Sequence, residues 1–351
     1  MQQPFQEYHS VDALPARCDC MFASPADGDF FATRAWYETV VESALPPGNR
    51  PLFLFDPRGV LLPLQVFAGG KQLSSLTTPY TCAFSPPALS GVGEPAVLAA
   101  GAALARALRR RSITRFDALT DGDPVVDALI RGLRRGGLVP LWFRNFGNWH
   151  EAVAGMDWPT YLAGREGKLR ETVRRKLRKW EGAADRRFRI VRDATEVEDG
   201  IAAYEHVYRR SWKEPEPFPS FNPAIMRVAA RQGRLRLGLL FEGDRPVAAQ
   251  FWIVGGGRAT VLKLAHDEMD KADSPGTVLT AMMLRRILSD EQVEEIDFGR
   301  GDDPYKQLWA SRRRQRMGVV LANPWSRAGA VYLARHAAGA ARRAVRPLVR
   351  R

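Results

Sequence analysis

Leu169, Val173 and Leu177 fall at i, i+4 and i+8, with Arg170, Arg174 and Arg175 between them and Arg178 directly after. That spacing predicts an amphipathic helix with one apolar and one cationic face. A second helix is predicted over residues 197–212. The run Glu214-Pro215-Glu216-Pro217-Phe218-Pro219 stops it, because proline lacks the N–H that a helix needs. Apolar runs separated by short polar turns predict strands at 235–241, 247–254 and 260–265. A polar loop at 267–274, a helix at 275–288 and a strand at 294–298 follow. Tyr305 and Lys306 then open a short helix, and beyond Asn323-Pro324 the chain becomes an Ala/Arg-rich tail.

The same rhythm occurs earlier in the chain. Residues 52–67, like residues 237–252, read as strand, polar turn, strand. Residues 96–100 and 277–281 both open a helix, and 116–124 and 296–304 both read as a strand entering an acidic loop that ends in proline. Three blocks in one order, about 180 residues apart, imply a duplication. The expected architecture is α/β, with an α+β mixed sheet, in two tandem domains: 1–150, 151–322, and a basic tail at 323–351.

Composition narrows the classes. With 45% hydrophobic and 26% charged residues, most of the chain can bury a core and is not of disordered type. Cys18, Cys20 and Cys82 are too few for a disulfide framework, Cys18-x-Cys20 is too tight for the usual zinc spacing, and the five His are scattered, so no metal is expected. There is no apolar run of about 20 residues and no basic-then-apolar leader, so the expected location is the cytoplasm. The net charge of +13 is uneven: 304–351 carries +12 and 165–192 carries +8, leaving the remainder acidic. Two local patches favour docking an anion or an acidic surface over general nucleic-acid binding.

Four segments carry candidate chemistry. Ser274-Pro275-Gly276-Thr277-Val278-Leu279 starts a helix after a strand. Its early N–H groups and helix dipole suit a phosphate, although Ser-Pro also begins many helices that bind nothing. It is neither a Walker loop nor a dinucleotide fingerprint. Arg300, Asp302, Asp303, Tyr305 and Lys306 crowd a Gly-flanked turn at a strand end, where α/β proteins place sites; Asp303-Pro304 is equally a plain helix cap. The first half has Asp123-Pro124 but Val125 where Tyr305 stands. Trp212, Lys213 and Glu214 end a helix beside the proline break, and His266, Asp267 and Glu268 end the strand before the loop; each group also reads as ordinary solvated surface.

Taken together, Ser211-Trp212-Lys213, Pro246-Val247-Ala248-Ala249-Gln250-Phe251-Trp252, Lys263-Leu264-Ala265-His266-Asp267-Glu268, Ser274-Pro275-Gly276-Thr277 and Gly301-Asp302-Asp303-Pro304-Tyr305-Lys306 resemble the GNAT N-acetyltransferase fold. The whole chain is similar to the CelD-like acetyltransferases, named after a protein of cellulose biosynthesis and related to the Fem transferases. The resemblance implies tandem GNAT-like domains, acetyl-CoA or another acyl-CoA as co-substrate, and an amine acceptor such as an amino sugar in polysaccharide biosynthesis. It implies that CoA lies against Leu264, Ala265, Ser274, Gly276, Thr277, Val278 and Leu279, and that Tyr305 protonates the departing thiolate. Asp302, Asp267, Glu268 and Glu214 are the candidate bases; Trp212, Lys213, Glu214, His266 and Lys306 are the expected acceptor-binding residues. Two positions depart from the family pattern. Asp273, Gly276 and Val278 stand where the pyrophosphate loop usually has Gln or Arg, Gly, and Gly or Ala, and His266 replaces an aromatic Tyr.

Two other readings accompany this one. In a Fem-like, aminoacyl-tRNA-dependent transferase the Arg-rich helix and tail would grip tRNA, although the chain lacks the long heptad run of a coiled-coil arm. In a non-catalytic scaffold the basic tail would contact a membrane or a polysaccharide-synthesis machine.

Overall fold

The computed structural model describes residues 5–24 and 28–345, with side chains described to Gly339. In chain order the first half gives β1 (Gln6–Tyr8), α1 (Arg34–Ser43), β2 (Arg50–Asp56), β3 (Val60–Val66), β4 (Gln72–Ser75), α2 (Glu94–Leu108), β5 (Ile113–Thr120), α3 (Pro124–Arg135) and β6 (Val139–Ala152). The second gives α4 (Trp158–Ala163), α5 (Gly167–Glu181), β7 (Arg186–Val191), α6 (Val197–Arg209), α7 (Phe221–Arg231), β8 (Leu235–Glu242), β9 (Arg245–Gly255), β10 (Arg258–His266), α8 (Pro275–Asp290), β11 (Glu295–Asp297), α9 (Pro304–Trp309), β12 (Arg312–Ala322) and α10 (Arg327–Val345). The three repeated blocks fall on corresponding elements: β2–β3 with β8–β9, α2 with α8, and β5 with β11.

The chain forms two compact units that are not consecutive stretches of sequence. One is Val40–Phe146 with the described parts of 1–22 and 315–351; the other is Gly147–Arg314 with the described part of 23–39. A single boundary near residue 150 therefore does not describe them, and the segment from 315 through α10 belongs to the first unit instead of forming a separate tail. The strand order in the first unit is β1-β2-β3-β4-β5-β12, and in the second β7-β8-β9-β10-β11-β6. The order is the same except that each half's last strand has been exchanged. β12 pairs antiparallel with β5 (Val320↔Arg115, Ala322↔Ile113), and the end of β6 pairs antiparallel with β11 (Ile296↔Glu151, Asp297↔His150).

In the first unit, Phe53, Leu54, Leu61 and Leu62 of the β2–β3 hairpin are fully buried with Leu104, Phe116 and Leu133. α2 and α3 cross so closely that a Cβ on Gly101 would lie 2.6 Å from the Leu129 carbonyl oxygen, so only glycine fits there. Trp325 lies against Gly137 and beneath the Arg109 guanidinium at 4.4 Å, which fixes the start of the C-terminal segment. Of the tail's apolar positions, Val331 is half exposed and Leu333 partly buried; the Val345 side chain and Leu348 lie outside the described residues. Among the described residues no helix is long and apolar enough to cross a membrane.

The second unit holds the core that supports the site. Leu169, Val173 and Leu177 of α5 are buried against α8, where Val278, Leu279, Ala281 and Met283 are buried in turn. Removing a side chain such as Leu279 from water contributes about 1.5–3 kcal/mol. Phe30, Phe31 and Trp36, from the first half of the sequence, complete this unit by packing edge-on, with Trp36 5.5 Å from the Phe221 ring. α6 stops at Arg209, three residues short of expectation, because the Ser211 hydroxyl turns back to the Tyr208 carbonyl (2.8 Å).

Candidate active site

Two parallel strands separate to make the site. β10 and β11 pair at Arg258↔Glu295, Ala259↔Ile296 and Thr260↔Asp297, and no pairing follows. β10 runs on to His266 with β9 alone, bulged between Val261 and Lys263. Past Thr260, the edge of β10 that faced β11 thus lacks a neighbouring strand. The turn after β11 is held from beneath. Asn148 Nδ2 donates to Asp297 Oδ1 (2.6 Å) and to the Gly299 carbonyl (2.8 Å), while Arg314 pairs with Asp297 and Glu295.

A cavity of about 340 Å³ opens beside this separation. Leu264 and His266 enter it from β10, Ser274, Gly276, Thr277 and Thr280 from the start of α8, Tyr305, Leu308 and Trp309 from α9, and Trp212 and Lys213 from the turn after α6. Leu169 and Lys271 complete the wall. The residues named from the sequence on α8, β10 and Tyr305 are thereby brought together. Ala265, Val278 and Leu279 are buried immediately behind, with side chains that support the wall and do not line it.

The beginning of α8 is shaped for a close ligand. Ser274 has φ +56°, a conformation costly for a residue with a Cβ. Its carbonyl accepts the Thr277 and Val278 N–H groups (3.0 and 3.2 Å), tightening the first turn. A Cβ on Gly276 would come within 3.2 Å of the His266 ring and 3.7 Å of Leu264. Asp273, the residue that departs from the family pattern, is held by Lys179 (2.5 Å) and Arg186 (2.8 Å), which keep its carboxyl below the ordinary range. Lys176 Nζ donates to the Ala272 carbonyl (2.7 Å), so cations from α5 and β7 surround the loop where the loop itself supplies an acid.

Tyr305 is packed against the core, and burial, with the Asp303 charge, pushes its hydroxyl well above the ordinary tyrosine range. It therefore keeps its proton at neutral pH. The ring of His266 lies 4.5 Å from Trp212, and its Nδ1 is 3.1 Å from the Asp267 carbonyl, so this His fills the place expected of an aromatic. Lys213 Nζ sits 5.2 Å over the Trp212 ring; burial first, then the Lys263 charge, pulls its ammonium down.

The candidate bases lie elsewhere. The Asp302 carboxylate covers Gly147 and forms a two-point pair with Arg313 (2.7 and 2.5 Å), which depresses its pKa. Asp267 is buried, accepts the Met269 N–H and pairs with Arg210 (2.5 Å) and Arg245 (3.4 Å); despite the opposing effect of burial these partners hold it ionised. Glu268 is exposed and 3.5 Å from Lys271. Glu214 is exposed, and its carbonyl accepts the Tyr208 hydroxyl. None of the four lines the cavity. Lys306 is likewise committed: its Nζ donates to the Arg300 carbonyl (2.6 Å) and pairs with Asp303 (3.0 Å), which clamps the turn before Tyr305.

A second cavity, about 380 Å³, meets the first at Lys213, which lines both. Tyr204, Tyr208, Pro215, Glu216, Pro219 and Asn222 are among its walls. Glu216 Oε1 lies 2.6 Å from Lys263 Nζ. Sequence reasoning named Glu214 from the proline-rich run and passed over Glu216; nothing local distinguishes them, because the distinction is which one faces inward. Among the described residues no group of three or more His, Cys, Asp or Glu is placed to hold a metal ion.

Comparison with known proteins agrees with this geometry. Residues 167–307 match the family model described as an acetyltransferase (GNAT) domain. No curated protein sequence matches the chain. The fold is similar to that of FemX (TM-score 0.56, 11% identity, 90% of this chain and 96% of that one). It is also similar to a conserved protein of unknown function from Bacteroides thetaiotaomicron (0.55, 12%, 92% and 100%) and to L-PGS from Bacillus licheniformis (0.51, 11%, 83% and 92%). At such identities the likeness concerns the fold. Residues 167–307, carrying the separated strands, the opening of α8 and Tyr305, match the acetyltransferase (GNAT) domain, and the protein is an acyltransferase.

Proposed function

We propose that the chain is an acyl-CoA-dependent N-acyltransferase that acts on the amine of a small molecule or amino sugar in polysaccharide or cell-envelope biosynthesis, as a member of the CelD-like group. The observation carrying this is the cavity that runs from the first turn of α8 to Tyr305 along the unpaired edge of β10. Its residues fit CoA: Gly276 lines the cavity at the first turn of α8 without a side chain to fill it, and Lys176, Lys179 and Lys271 put positive charge at the loop before it. CoA supplies the acyl group as a thioester. N–H groups on the β10 edge near Lys263–Ala265 polarise its carbonyl. As the amine nitrogen bonds to the carbonyl carbon and the C–S bond breaks, Tyr305 donates its proton to the sulfur.

Acetyl-CoA should raise the thermal midpoint of the purified protein, and with a suitable amine should release free thiol. Both responses depend on the cavity. If acetyl-CoA neither binds nor shifts the midpoint, the proposal fails.

One observation favours a larger anionic donor, as in a Fem-like aminoacyl-tRNA-dependent transferase. Leu169 of α5 lines the cavity, while Arg174, Arg175 and Arg178 of the same helix are exposed. Filter binding of charged tRNA with a steep salt slope would select that reading. Contact of the basic C-terminal segment with a membrane or polysaccharide machine is a separate proposal, tested by vesicle co-sedimentation with and without residues 325–351.

A further inference from the structure

We infer that the 380 Å³ cavity behind Lys213 is the acceptor pocket, that it takes an amine on a hydroxylated ring of monosaccharide size, and that Glu216 receives the amine's proton. The inference rests on the acyltransferase reading above and adds the acceptor's chemistry and place. Lys213 lines both this cavity and the donor cavity, so a molecule filling it lies one side chain away from the donor. One side is apolar, formed by the Tyr204 and Tyr208 rings (5.7 Å apart and tilted 38° to one another) and by Pro215, Pro219 and Pro223, a surface suited to the C–H groups of a saturated ring. Against it stand hydrogen-bond acceptors. Glu205 and Glu216 supply carboxylates. Asn222, 2% exposed, places Nδ2 3.3 Å from the Tyr204 hydroxyl and leaves Oδ1 with no partner. An acceptor buried with nothing to accept is costly, and a side-chain shift that turns it toward a ligand rich in O–H and N–H groups offsets that cost.

Glu216 is placed for proton removal. It is the carboxylate of the proline-rich turn that lines a cavity, and it is held there by Lys263 at 2.6 Å and by the Tyr208 hydroxyl. The amine nitrogen forms its bond to the carbonyl carbon and loses one proton to Glu216, while the thiolate takes one from Tyr305. One proton is removed and one delivered, and no further reactant is needed.

The test uses the full chain, acetyl-CoA, and two amine probes of similar ring size: glucosamine and hydroxyl-free cyclohexylamine. Wild type should favour glucosamine at least tenfold in kcat/KM. Asn222→Leu should remove most of that advantage, about tenfold, while leaving the acetyl-CoA Kd unchanged. Pro219→Trp, at the exposed rim, should raise the KM for both amines with the acetyl-CoA Kd again unchanged, and keeps the test open if the buried substitution misfolds. Glu216→Gln should lower kcat by at least a hundredfold with little change in acetyl-CoA KM. Absence of a glucosamine preference, or amine kinetics indifferent to Asn222→Leu and Pro219→Trp, would overturn the inference. Failure of wild type to bind acetyl-CoA would overturn the acyl-CoA reading alone. Saturation-transfer NMR of glucosamine, lost in Pro219→Trp, would still support this pocket, and its persistence in that variant would refute it.

Discussion

Gly276 and Tyr305 both line the cavity beside β10, and each allows a separate measurement of the proposed CoA site. Gly276→Glu puts a carboxylate into the cavity wall against Leu264 and His266, so acetyl-CoA should no longer produce a thermal shift, with circular dichroism confirming that the variant is folded. Tyr305→Phe keeps the ring's packing and removes the proton donor, so kcat should fall about tenfold to a hundredfold with acetyl-CoA KM nearly constant, as expected for help given only in the transition state. An equal fall in binding would mean that the hydroxyl holds CoA instead. Asp267 makes a stability prediction. Its folded pKa is depressed, so its contribution is present above the unfolded carboxylate range near 4 and is lost as pH falls through the folded value. Urea unfolding should show Asp267→Asn clearly less stable than wild type at pH 7 and little different near pH 2. The sequence named most of the residues that enter this cavity from β10, α8 and the turn after α6, because strand ends and helix starts leave local marks. It could not show which charges were already spent. Asp302 is paired with Arg313, Asp267 with Arg210 from 57 positions away, and Lys306 with Asp303 while it donates to the Arg300 carbonyl of its own turn.

Elements were legible where periodicity was clean. The buried stripe of α5 follows from Leu169, Val173 and Leu177, and α8 and the strands β8 to β11 lie close to their predicted limits. β12 escaped notice because Arg312, Arg313, Arg314 and Arg316 give its first half the look of a charged tail; Arg314 and Arg316 are instead drawn inward, onto Asp297 and the Thr120 hydroxyl. The junction before α8 carries strain that the sequence did not announce. Ser274 adopts a left-handed conformation and its hydroxyl caps nothing. Ser274→Gly should therefore leave the fold equally stable or raise it by up to about 1 kcal/mol, while Ser274→Val should cost at least 1–2 kcal/mol. Denaturant midpoints decide this, and a destabilised glycine variant would show that the hydroxyl has a role not seen here.

For the whole molecule, the duplication was readable and the exchange of strands was not. Repeats mark which elements exist, whereas the partner of an edge strand depends on contacts distant in sequence. β12 buries Val319, Leu321 and Ala322 in the first unit, and residues 147–152 of β6 border β11 in the second. Fragments 1–150 and 151–351, expressed separately, should be insoluble or unfolded by circular dichroism, and co-expression should recover folded protein. Two fragments that fold independently would refute the exchange.

Asn148 gives that exchange a functional meaning. Translated before any of the acetyltransferase domain, it ties the turn that leads to Tyr305 through Asp297 and Gly299. A cut near residue 150, which the repeat pattern alone would suggest, therefore strips the hydrogen bonds from beneath the turn that leads to Tyr305, so the two halves of the sequence cannot be parted there without loosening that turn.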